Sequence, residues 1–135
     1  QLSRVRVIGL DTNVLVRYLT KDDEAQWQKA AAIINDAQSC FISDIVLCEL
    51  VWVLSGKPYQ YSKSEILKVL ELILQSSKFE FANRTIIYQA IKLTQTGKAN
   101  FADYLIGATN RNYDCSQTVT FDQKLKGEKW YQVLT

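Results

Sequence analysis

The chain reads as an α/β protein built on a mostly parallel sheet, and three observations carry that expectation. Short β-rich runs alternate with longer stretches whose apolar residues recur at helical spacing. That alternation sets parallel strands side by side with helices as their crossovers. The chain has 135 residues, 47% hydrophobic and 22% charged, which suits one soluble globular domain with a core that needs no disulfide or metal staple. No internal repeat, low-complexity tract or Pro/Gly-rich linker divides it, so residues 1–135 are expected to form a single domain.

Val5 to Leu10 is the first strand, and Asp11-Thr12 then caps a helix reaching about Leu19. Asp22-Asp23-Glu24 sets acids at the start of the next helix, where the dipole favours them, and Trp27, Ala30, Ala31 and Ile34 share one face. Cys40 to Ile42 is a short strand. Ser43 or Asp44 caps a helix from Ile45 to Leu54, and Gly56-Lys57-Pro58 breaks it. Ser62-Lys63-Ser64-Glu65 is a capping box opening a helix with Ile66, Val69, Leu70 and Ile73 in register. Lys78 to Phe81 is a short strand. Asn83 caps a helix carrying Ile87, Ala90, Ile91 and Thr94, and Gly97 stops it. Asn100 caps a helix to about Asn112. Gln117 to Phe121 and Trp130 to Leu134 are the last strands.

Composition excludes more than it proves. The chain has no histidine, which removes Ser-His-Asp triads, Cys-His pairs and the usual histidine-containing zinc sites. Acid–base chemistry would have to come from carboxylates, lysine, tyrosine, cysteine or metal-activated water. Cys40, Cys48 and Cys115 form no CxxC pair, and each reads as a small buried hydrophobe in a reducing, cytoplasmic setting. The formal charge of +2 does not announce a nucleic-acid binder. No apolar run is long enough for a membrane span, and Gln1-Leu2-Ser3-Arg4 does not open a secretory leader.

Four of the 14 acids stand apart. Glu49 interrupts the run Ile45 to Leu54, which is apolar on every other helical face and so reads as a buried helix. A carboxylate there needs a cation, a partner such as Arg17, or a solvent-facing slit. Asp103 is again one acid in an apolar helix, though with Asn100 as cap it stands where a structural capping acid belongs. Asp11 and Asp122 follow strands, and each alone is an ordinary cap or turn residue. Together the four could meet beyond the carboxyl ends of a parallel sheet, where sites of such folds form. Carboxylates that close need a cation, and Mg²⁺ or Mn²⁺ suits oxygen ligands.

Asp11-Thr12-Asn13-Val14-Leu15-Val16-Arg17-Tyr18-Leu19 resembles the opening motif of PIN domains. Val46 to Leu54, Phe101 to Ile106 and Thr118 to Leu125 resemble the next three acidic motifs, in the same order. Order, spacing and length resemble the toxins of VapBC-type toxin–antitoxin pairs over nearly the whole chain. The resemblance implies a three-layer α/β/α fold with a short parallel sheet. It also implies an Mg²⁺- or Mn²⁺-dependent endoribonuclease, a homodimer, and a small antitoxin partner that blocks the site. Carried over, Asp11, Glu49, Asp103 and Asp122 are the catalytic, metal-holding acids, and Thr12, Asn100 and Thr120 support them. Relatives often have Asp where this chain has Asn100, which leaves one metal or two open.

The expected chemistry is hydrolysis by metal-activated water in line with the leaving 3′ oxygen, with a 5′-phosphate and a 3′-hydroxyl as products. Arg17, Lys21 and Lys98 are candidate phosphate contacts, each more simply read as solvated surface charge. Tyr18 and Tyr104 could stack on bases but fit a core or interface better, and Trp52 reads as core. An RNA-processing or structure-specific nuclease of the same fold is the nearest rival. A catalytically silent binding module is the next.

Overall fold

The structure, a computed structural model, describes residues 6–135. The reading of the leader, and Val5 as the start of the first strand, lie outside the described residues. The chain divides into two compact units, one ending at Ala82 and the other running Asn83–Thr135.

In the first unit the order is β1 (Val7–Gly9), α1 (Thr12–Thr20), α2 (Glu24–Asp36), β2 (Ser39–Phe41), α3 (Asp44–Ser55), α4 (Lys63–Gln75) and β3 (Phe79–Glu80). The strands pair in parallel in the order β1-β2-β3, with Ile8 opposite Cys40 and Cys40 opposite Phe79. Side-chain caps start the helices: Asp11 on α1, Asp23 on α2, Ser43 on α3 and Ser62 on α4, the last with the reciprocal Glu65 bond of a capping box. Leu15, Ile34, Ile42, Leu47, Leu50, Leu54 and Leu70 form its buried core.

In the second unit the order is α5 (Arg84–Thr96), α6 (Phe101–Asn112), β4 (Thr118–Thr120), a 3-10 turn at Gln123–Leu125 and β5 (Tyr131–Val133). β4 and β5 pair in parallel, with Val119 opposite Gln132. α5 lies along α6, with Ile87, Ala90, Ile91, Phe101, Tyr104 and Leu105 buried. Gly97 is required by close approach, because a Cβ there would lie 1.8 Å from the Tyr104 hydroxyl.

The α/β class and the parallel pairing match the expectation. The 3-10 turn was not foreseen, because three residues carry no periodicity. Two burial readings are corrected. α3 is not buried all round: Ile45 and Trp52 are 72% and 79% exposed, on the same face as the exposed Glu49. Trp52 is therefore not core. An apolar run without period does not say which face is covered, and here Val46, Leu47, Leu50 and Leu54 take that role. Of the cysteines only Cys40 is buried. Cys48 is half-buried and Cys115 exposed, so the common reading as buried hydrophobes fails for these two.

Candidate functional site

Asp11 follows β1 and Leu10, at the carboxyl end of the strand, and is the N-cap of α1. The Thr12 backbone N–H donates to Asp11 Oδ1 at 2.8 Å. The buried Thr12 hydroxyl donates to Glu49 Oε1 at 2.5 Å, reaching from α1 to α3. One short segment thus orients two carboxylates that are 38 positions apart in sequence (49 − 11). Glu49 is not a carboxylate sunk in a buried helix, as its sequence context suggests. It stands on the exposed face of α3 and is held from the side.

In the second unit Asp103 forms the capping box of α6. The Asn100 N–H donates to Asp103 Oδ2 at 3.3 Å, and the Asp103 N–H donates to Asn100 Oδ1 at 3.3 Å. The Asp103 carbonyl also accepts from the Tyr131 hydroxyl at 2.8 Å. That contact needs Gly107, where a Cβ would lie 1.9 Å from the same hydroxyl. Burial above all, and then nearby Tyr104, Asp103 and Glu128, push the Tyr131 phenol up to about 12. Asp122, just past β4, caps the 3-10 turn by accepting from the Lys124 N–H at 2.9 Å. Its own N–H donates to Thr120 Oγ1 at 3.0 Å.

A common pattern runs through the four acids. Each has one oxygen held by a donor close at hand, and its second oxygen has no protein donor among the described residues. None is in an ion pair among the described residues, where the two salt bridges use Asp36 and Asp22. Carboxylates oriented by one oxygen and open at the other are a hard-oxygen donor set that fits Mg²⁺ or Mn²⁺. Within neither unit, among the described residues, do three acidic or thiol side chains form a ready metal cluster. Asp11 and Glu49 come together around Thr12, Asn100 joins Asp103, and Thr120 joins Asp122.

The candidate phosphate contacts divide. Arg17 donates to both Asp22 oxygens at 3.0 and 3.1 Å, to Gln26 at 2.6 Å and to Tyr59 at 3.2 Å. The Tyr59 hydrogen bond, then Thr20 and Arg17, hold the Asp22 carboxyl below the usual range. A guanidinium so committed fastens loops rather than reaching for phosphate. Lys21 ends α1 in a left-handed conformation, with its Nζ over the Trp27 ring at 4.8 Å. Lys98 is exposed in the turn before Asn100. Tyr104 is fully buried and offers no face for a base, and Tyr18 is half-buried and packs edge-to-face with Phe79. Sequence reasoning missed Asp44: Ser43 takes the cap, leaving Asp44 Oδ1 buried without a hydrogen bond among the described residues. Desolvation raises the pKa of this carboxyl. Its only signal was its place beside the cap.

Together these elements define a small α/β protein whose chemistry-bearing groups are singly pinned carboxylates. The PIN domain family model matches residues 8–127, and the chain belongs to that family. It is 27% identical over 120 residues to a VapC ribonuclease of Aquifex aeolicus (strain VF5), covering 87% of this chain and 88% of the relative. Among solved structures, a toxin–antitoxin complex from Klebsiella pneumoniae is 17% identical with a TM-score of 0.36, covering 95% of this chain and 96% of that one. VapBC2 from Rickettsia felis, bound to a DNA fragment from their promoter, is 22% identical with a TM-score of 0.36, covering 94% and 98%. Among the described residues no helix is long and apolar enough to cross a membrane.

Proposed function

We propose that the chain is a divalent-metal-dependent endoribonuclease and the toxin of a toxin–antitoxin pair. Family membership and the similarity to a VapC ribonuclease across most of both chains support the reading. The observation that carries it is the arrangement of the acids: each of the four in the PIN-like motifs is fixed through one oxygen and open at the other.

In this reading Asp11, Glu49, Asp103 and Asp122 hold Mg²⁺ or Mn²⁺. When bound, such an ion activates water and steadies the charge on the leaving oxygen of a phosphodiester. The chain's own residues do the positioning. The Thr12 N–H turns Asp11, and the Thr12 hydroxyl turns Glu49. The α6 capping box fixes Asp103, and the turn after Thr120 fixes Asp122. Asn100 supplies a neutral amide where relatives often carry Asp, which weakens any second ion more than the first. Lys98 and Lys21 are the remaining candidates for phosphate contact. A small antitoxin, a second copy of the chain and the cytoplasm complete the proposal as partners and setting.

Mapping RNA ends after incubation with Mg²⁺ tests it. The expected products carry a 5′-phosphate and a 3′-hydroxyl, and Asp103→Asn makes none. A cyclic 2′,3′-phosphate would contradict attack by water. The same cuts from Asp103→Asn would remove Asp103 from the mechanism.

A further inference from the structure

In the second unit a cavity of about 390 Å³ opens between α5, α6 and the turn before β5. Its walls carry aromatic rings and three cations among smaller and apolar residues. Tyr88 and Trp130 are 49% and 37% exposed. Lys92 Nζ lies 5.2 Å from the centre of the Tyr88 ring. The Arg111 guanidinium lies 3.9 Å from the Trp130 ring, and Lys129 Nζ lies 5.0 Å from it. None of the three cations is in an ion pair among the described residues. The single carboxylate on the wall, Glu128, accepts from the Tyr104 hydroxyl at 2.6 Å and is partly spent there.

Trp130 adds an independent sign. Its φ is +78°, a left-handed conformation that a bulky side chain adopts at a cost and glycine adopts freely. A large ring kept at a strained position points to use of the ring. Aromatic faces beside unpaired cations suit a base and its phosphate.

We propose that this pocket binds one nucleotide of single-stranded RNA. The base stacks on the outer plane of Arg111, which Trp130 backs, and beside Tyr88, and Lys92 and Lys129 take the phosphate. The proposal rests on RNA being the substrate and names a second place that holds it. Arg111 lies about 12 Å further along α6 than Asp103, while Tyr104, next to Asp103, also lines the pocket.

Binding of a labelled, short, mixed-sequence single-stranded RNA to the full chain tests this. Fluorescence anisotropy is read in the Asp11→Asn background without divalent ion, so cutting does not intrude. Trp130→Gly relaxes the strained backbone and removes only the ring. It is expected to weaken binding about tenfold. Lys92→Gln with Lys129→Gln is expected to lower the salt dependence of binding by about 0.7 in log–log slope per phosphate lost. Tyr88→Ala, on the exposed side of α5, repeats the stacking test should Trp130→Gly unfold. Unchanged affinity in these variants, while the wild-type chain still cuts RNA, overturns the pocket and leaves the nuclease reading standing. No RNA binding by the parent protein, and no cutting, overturns both. Poly-glutamate held more tightly than RNA, and released by Trp130→Gly, would assign the pocket to an acidic peptide instead.

Discussion

Glu49 and Asp103 look alike in sequence, each a lone acid in an apolar helix, yet the structure holds them in opposite ways. Glu49 stands on an exposed face of α3 and is fixed by a hydroxyl from α1, 37 residues away. Asp103 is half-buried and fixed by its own helix start, three residues away. The orientation of Glu49 is a product of tertiary packing, and that of Asp103 of local capping chemistry. The two acids should therefore fail differently when their supports are removed.

The largest effects come from the acids themselves. Glu49→Gln and Asp103→Asn should each lower RNA cleavage by more than about 100-fold, beyond what loss of a supporting group costs. Thr12→Val keeps the volume but frees Glu49. Cleavage should fall about tenfold, with Thr12→Ser restoring it. Stability should fall by only about 1 kcal/mol in urea unfolding, since the released carboxylate can turn to water. If Thr12→Val cleaves normally, Glu49 does not need its cross-helix donor. Asn100→Ala instead removes a support that lies in the same helix start as Asp103. Loss of the cap should cost about 1 kcal/mol of stability, while Asn100→Asp keeps the cap and adds an acid. Metal titration of Asn100→Asp should then show tighter binding or a second site.

The smallest effect is alkaline. The Tyr131 phenol sits at about 12 in the folded chain against an ordinary 10.0, so the folded state keeps its proton longer than the unfolded state does. Its contribution to stability is intact below pH 10 and is lost as the pH rises towards about 12. Urea midpoints across that window should fall less steeply for Tyr131→Phe than for the wild type. Equal slopes would show that burial of the Tyr131 phenol does not govern the alkaline loss of stability.

What was legible in the sequence follows the same division. Local chemistry was plain: Ser62 with Glu65 and Asn100 with Asp103 form the capping boxes their spacing announces, and Gly97 ends α5. Strand and helix order could be read because each segment has its own period. Contacts between distant segments could not. In the run Ile45 to Leu54 the one polar residue, Glu49, shares the face of Trp52, and that single charge was the only sign that this face meets solvent. Nothing at Thr12 announces a bond to Glu49, nor at Gly107 the Tyr131 ring packed against it. The pocket around Trp130 was equally hidden, since its rings and cations come from three separate stretches of chain.

The central claim is that acids far apart in sequence serve one divalent ion. Titration of the whole chain with Mn²⁺, followed by calorimetry or by the paramagnetic signal of free ion, tests it most directly. The wild type should show a saturable site that disappears in Asp11→Asn and equally in Asp103→Asn. A site that survives Asp103→Asn unchanged, or no saturable binding in the wild type, would contradict the claim.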